Sequence, residues 1–95
     1  MRKDKVKVIG KTTDGTLVVQ GVFKFFESEG IPLHVIFELC KENNWVPSWL
    51  HIYKDGKQSG WTHKTILDRL REGMQDVYET DFINTVIKRL DKLHI

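Results

Sequence analysis

The chain has 95 residues, one cysteine, two prolines, three tryptophans and a formal net charge of +2. That is the size of one domain. Leu, Ile, Val and Phe supply 30 residues, which excludes wholesale disorder, and a single cysteine excludes an internal disulfide framework.

No apolar run approaches the ~18 residues of a membrane span. The opening Met-Arg-Lys-Asp-Lys, followed by short apolar runs broken at Lys7, Lys11 and Asp14, does not read as a signal peptide. A reducing cytoplasm is therefore the expected setting, with no membrane partner. Alanine is absent, and the abundant Lys, Ile and Val point to an AT-rich coding sequence of the kind found in many bacteria and their phages.

Residues 5–10 alternate, with Val6 and Val8 on one face, and predict a half-buried strand. Thr12, Thr13, Asp14 and Gly15 follow, and Asp-Gly is a hairpin turn pair. The β-branched run Thr-Leu-Val-Val at 16–19 is the return strand. A lone hairpin is not stable in water, so it must pack on helices or pair with another chain. Residues 20–28 read as a short helix on the spacing of Val22, Phe25 and Phe26, or as a continued strand.

After Gly30, Pro32 suits a first helical turn. Leu33, Ile36, Phe37 and Cys40 fall at i, i+3, i+4 and i+7, one face of a helix that Asn43 and Asn44 end. Val46, Trp49, Leu50 and Tyr53 repeat that spacing and predict a helix from about 47 to 55–59. Asp55-Gly56 leaves open a hairpin over 49–62. Thr62 is a good N-cap for the next helix, whose stripe is Ile66, Leu67, Leu70, Met74, Val77 and Tyr78. Gly73 inside it marks a place where a neighbouring helix crosses closely. The last helix starts near Thr80-Asp81, again a good cap, and carries Phe82, Ile83, Val86, Ile87, Leu90 and Leu93. Lys88, Arg89, Lys92 and His94 at its end favour the macrodipole. The expected fold is mainly α: residues 1–19 a β-hairpin and residues 20–95 about four packed helices, in one small domain.

The chemistry is mostly negative. No Cys-x-x-Cys, His-x-x-x-His or His-Glu-x-x-His spacing is present, so a metal is not expected. Cys40 lies on an apolar stripe, where a thiol is structural rather than nucleophilic. The seven glycines are scattered and make no phosphate loop. The expectation is a non-enzymatic chain with no cofactor.

Residues 52–71 resemble the bacterial helix-turn-helix pattern. Gly60 stands at the turn glycine, Trp61 at the apolar residue after it, Thr62 at the cap and Ile66 at the β-branched anchor, while Gly56 stands where helices approach. Asp55, Ser59 and Arg69 stand where the pattern carries apolar residues. The resemblance implies a recognition helix presenting Lys64, Thr65 and Arg69 to DNA. The basic N-terminal segment, with Arg2, Lys3 and Lys5, would then contact phosphates. The same segment also reads as a solvated edge-strand end.

Trp45, Trp49, Tyr53 and Trp61 cluster within seventeen residues. Trp49 and Tyr53 share the stripe and belong in the core. Trp45 and Trp61 sit at element ends, where a half-exposed tryptophan makes an interface anchor. The expectation is thus a small protein-interaction or regulatory module using Trp45 and Trp61, its partner another protein or a second copy. The alternative is a nucleic-acid binder.

Overall fold

A computed structural model describes residues 6–93. Strand β1 (Lys7–Lys11) turns back into β2 (Leu17–Gln20), then come α1 (Phe23–Glu29) and α2 (Leu33–Glu42). Strand β3 (Trp45–Pro47) precedes α3 (Trp49–Gln58), α4 (His63–Met74) and α5 (Thr80–Asp91). The radius of gyration, 12.5 Å, is that of one compact domain of this length.

The hairpin forms at the predicted turn. Gly15 takes φ +93°, and the Thr16 amide donates to Asp14 Oδ1 at 3.1 Å. The hairpin is not alone: β2 is the central strand of three, antiparallel to β1 and parallel to β3. Leu17 pairs with Trp45, Val18 with Val46 and Val19 with Pro47. The sequence pattern assigned Val46 to a helical stripe and did not show this strand. Three residues are too few to display alternation, and the strand is held by β2 rather than by its own propensity. Pro47 is tolerated because β3 is an edge strand.

Strand β1 departs from the half-buried expectation. A bulge between Val8 and Gly10 interrupts its register with β2, and every residue of the strand is exposed. Of the predicted pair, Val6, just before the strand, packs against the core, and Val8 is exposed.

Of residues 20–28, Gln20 ends β2 and Phe23 onward is helix α1, closed by Gly30 at φ +67°, and residues 49–58 resolve as helix rather than hairpin. Helix α4 stops at Met74 although the apolar spacing runs on to Tyr78. The Val77 and Tyr78 amides turn back to the Met74 carbonyl, and Lys41 Nζ donates to the Val77 carbonyl at 2.9 Å. Tyr78 leaves the helix to stand against Phe37, Trp49 and Phe82. Helix α5 is preceded by Glu79, which makes no side-chain cap, so Thr80 lies inside the helix instead of capping it.

The core is built where helices touch. The predicted face of α2 is buried in full, with Ile36, Phe37 and Cys40 completely covered. Gly73 sits where α2 and α4 cross: a Cβ there would stand 3.0 Å from Leu33 Cβ and 3.5 Å from the His34 backbone nitrogen. Gly56 does the same for α3 and α4, with Ile66 Cγ1 at 3.0 Å.

Candidate functional site

The sheet and helix α5 bound an open apolar groove of about 500 Å³. Val18 and Val46 line it from the sheet, Trp49 and Leu50 from the start of α3, and Phe82, Val86, Leu90 and Leu93 from α5 and the residues just after it. Val86 and Leu90 are buried and lie deep, while Leu50, Phe82 and Leu93 remain 42, 38 and 39 % exposed. Among the described residues five large apolar side chains are exposed, and these are three of them; the other two are Val8 and Ile9 on β1.

The groove's polar atoms are few. Thr12 and Ser48 line it along with Arg89. The Thr12 hydroxyl is engaged with Asp14 and with the Thr16 amide inside the hairpin turn. Ser48 is the N-cap of α3: its Oγ accepts from the His51 amide and lies 2.6 Å from His51 Nδ1. That pair belongs to one helical turn and satisfies a helix end. Arg89 has no carboxylate partner among the described residues, whose ion pairs join His63 to Asp91 and Lys64 to Asp68.

A second recess adjoins the groove and shares Thr12, Val46 and Phe82 with it. Trp45 lines this recess, half-buried, beside Lys41, Asp14 and Tyr78. Trp45 thus stands at the edge of the apolar surface. Trp61 does not. Its ring meets Phe23 at 5.2 Å and Phe26 at 5.4 Å, both edge-on, and the Arg69 guanidinium lies 5.2 Å from it. The two tryptophans read together in the sequence are therefore on separate parts of the molecule.

Compared with protein-family models, curated proteins and solved structures, the chain matches none at a significant level.

Helices α3 and α4 do form a helix, a glycine turn (Gly60, φ +92°) and a helix capped by Thr62, whose Oγ1 accepts from the Thr65 amide at 3.1 Å. Lys64 is paired with Asp68 at 3.4 Å, and Arg69 lies over Trp61. The Thr65 hydroxyl lies 2.9 Å from that of Thr62. At the start of α4, His63 joins two other elements: Tyr53 Oη lies 2.8 Å from its Nδ1 and Asp91 Oδ1 2.8 Å from its Nε2. The Asp91 carboxylate therefore stands beside the start of α4. Arg2, Lys3 and Lys5 lie outside the described residues.

Cys40 is completely covered, and burial pushes its thiol up to about 12; an unionised thiol is a poor nucleophile. Burial, with Cys40 close by, also raises Tyr78 far above the ordinary phenol value. Among the described residues no three His, Cys, Asp or Glu side chains gather to hold a metal ion, and no helix is long and apolar enough to cross a membrane.

Leu50, Phe82, Leu93 and Arg89 were not singled out in the sequence as site residues. One trace of them was present. The apolar residues of α5 span Phe82, Ile83, Val86, Ile87, Leu90 and Leu93, a stripe wider than one packed face requires.

Proposed function

We propose that this chain is a small non-enzymatic protein-interaction module that receives apolar side chains of a partner protein in the groove between the sheet and α5. The observation that supports this most directly is the convergence of Leu50, Phe82 and Leu93, all exposed, on one recess. Scattered exposed apolar residues need no explanation, whereas a contiguous apolar recess does.

The partner is a different chain. A groove facing its own two-fold copy presents concavity to concavity, and a twofold contact uses the same patch on both sides. The other exposed apolar residues, Val8 and Ile9, lie on an edge strand with Lys7 and Lys11 and a bulge, devices that keep edges from pairing. Inserting them into a neighbour's groove would bury that bulged, lysine-flanked edge, which those same devices oppose.

The test is selection from a displayed random library of peptides about 16 residues long, enough for four helical turns. The full chain is immobilised, and binders to its Phe82→Asp variant are removed. Peptides that bind the parent at least about tenfold more tightly than Phe82→Asp and Leu50→Asp support the groove. Absence of any such peptide, or a concentration-dependent dimer that Phe82→Asp dissolves, overturns a foreign partner at this site.

The nucleic-acid reading makes the opposite prediction. Tryptophan fluorescence during titration with short duplex DNA, at roughly 50 and 200 mM salt, would show binding that weakens by about tenfold or more between the two. The expected outcome is no saturable binding at ~10 μM protein. Salt-sensitive binding lost on Lys64→Glu with Arg69→Glu would restore it.

A further inference from the structure

We infer that the groove's occupant is an amphipathic α-helix with acidic residues along one flank, an inference that rests on the docking role proposed above.

The backbone of the occupant comes first. A peptide lying in this groove is removed from water along its inner side, and its buried N–H and C=O groups need partners. The walls supply too few for an extended segment. β2 is hydrogen-bonded on both sides, the free edge of β3 is three residues long and its Pro47 has no N–H to give, the first amides of α3 are donors only, and α5 keeps its interior amides for itself. The hydroxyls of Thr12 and Ser48 are engaged within the chain. An extended segment would therefore leave polar groups unsatisfied, while a helix satisfies its own.

The dimensions agree. Phe82, Val86 and Leu90 recur every fourth residue along α5, so the wall they make is about 12 Å long at 1.5 Å per residue. That is a little over two turns, the length over which a helix presents anchors at i, i+4 and i+7.

Charge then gives the flank. Among the described residues Arg89 is the one charged residue lining the groove, and no carboxylate among them meets it. Lys92, the residue just after α5, falls three further along on the same side. An apolar recess edged by an unpaired guanidinium favours a carboxylate on the occupant and rejects a cation.

Three designed peptides of about 18 residues test this by fluorescence anisotropy against the full chain. One has leucines at i, i+4 and i+7 flanked by glutamates, the second replaces those glutamates with lysines, and the third is the acidic sequence with two central prolines that break the helix. The acidic helix should bind at least about tenfold more tightly than the lysine form, and Arg89→Glu should reverse that order. The proline form should not bind. Equal binding of acidic and basic helices overturns the charge assignment, and binding of the proline form overturns the helix. If none of the three binds while library peptides sensitive to Phe82→Asp exist, this inference falls and the docking role stands. If those are also missing, both fall. Titration with dodecanoate adds a last arm: a single-chain carboxylate that binds in a Phe82-dependent way, where the acidic helix does not, makes the groove a lipid site and overturns the inference.

Discussion

Trp61 stands where α1, α3 and α4 come together, and Trp45 stands on β3 beside the groove that α5 leaves against the sheet. Around Trp61 the helices approach closely: Gly56 lets Ile66 lie 3.0 Å from where a Cβ would be, and Phe23 and Phe26 close on the indole edge-on. Around Trp45 there is no such closure, because α5 packs on α3 and α4 and leaves Phe82 and Leu93 exposed facing the sheet. Tryptophans of similar exposure thus report different things. One is the rim of a finished core, and the other borders apolar surface that the described residues do not cover.

The largest expected effect tests that contrast directly. Phe23 is 1 % exposed, and Phe23→Ala should cost about 3–5 kcal/mol through lost burial and the cavity left behind. Phe82, of the same residue type but 38 % exposed, should cost only about 1–2 kcal/mol when changed to Ala. Urea denaturation of both variants measures this. Equal costs would make the groove part of the core and not an open face.

Next is Gly73→Ala. Alanine favours an interior helix position by about 1 kcal/mol over glycine. Here, however, the new Cβ meets Leu33 Cβ and Phe37 Cε2 at 3.0 Å and the His34 backbone nitrogen at 3.5 Å. Neither Leu33 Cβ nor a backbone atom is the movable end of a side chain. Overpacking should win, for a net loss of about 1–2 kcal/mol in the same assay. A stabilised variant would show that α2 and α4 can separate, and that the closed side of the molecule is less tightly set than its distances say.

The helix starts give a smaller pair. Thr62→Ala removes the hydroxyl that accepts from the Thr65 amide and should cost about 1 kcal/mol. Thr80→Ala should be near neutral, since Glu79 occupies the cap position of α5. The sequence alone ranks these two threonines together as caps, and only the first reading holds.

That pair shows what was legible. The helix faces of α2 and α4, the Asp-Gly turn, the cap at Thr62 and the close crossing at Gly73 follow from local rules: period, propensity and the space a side chain needs. Strand β3 and the end of α4 do not, because each is decided by a distant partner, β2 for Trp45 and Val46, Lys41 for the Val77 carbonyl. The groove was hidden for the same reason. Apolar residues on α5 say that something covers them, but not whether the cover belongs to this chain.

The smallest expected effect lies at the groove's lip, in the turn that carries Thr12. The Thr12 hydroxyl and the Thr16 amide both donate to Asp14 and hold its carboxyl below the ordinary value of 3.8. A depressed pKa means stabilisation that is present above the unfolded value and lost as pH falls through the folded one. The turn should therefore keep its form at neutral pH and loosen only below the ordinary carboxylate range. In a two-dimensional NMR titration the Thr16 amide should move with an apparent midpoint below 3.8, and Asp14→Asn should abolish that step. Because Asp14 is fully exposed, global stability should barely follow. If Phe82 and Leu93 resonances shift with Thr16, the hairpin turn and the α5 wall move together and the groove is one mobile unit. If Thr16 moves alone, the sheet wall is fixed independently of its turn, as an open but preformed docking site requires.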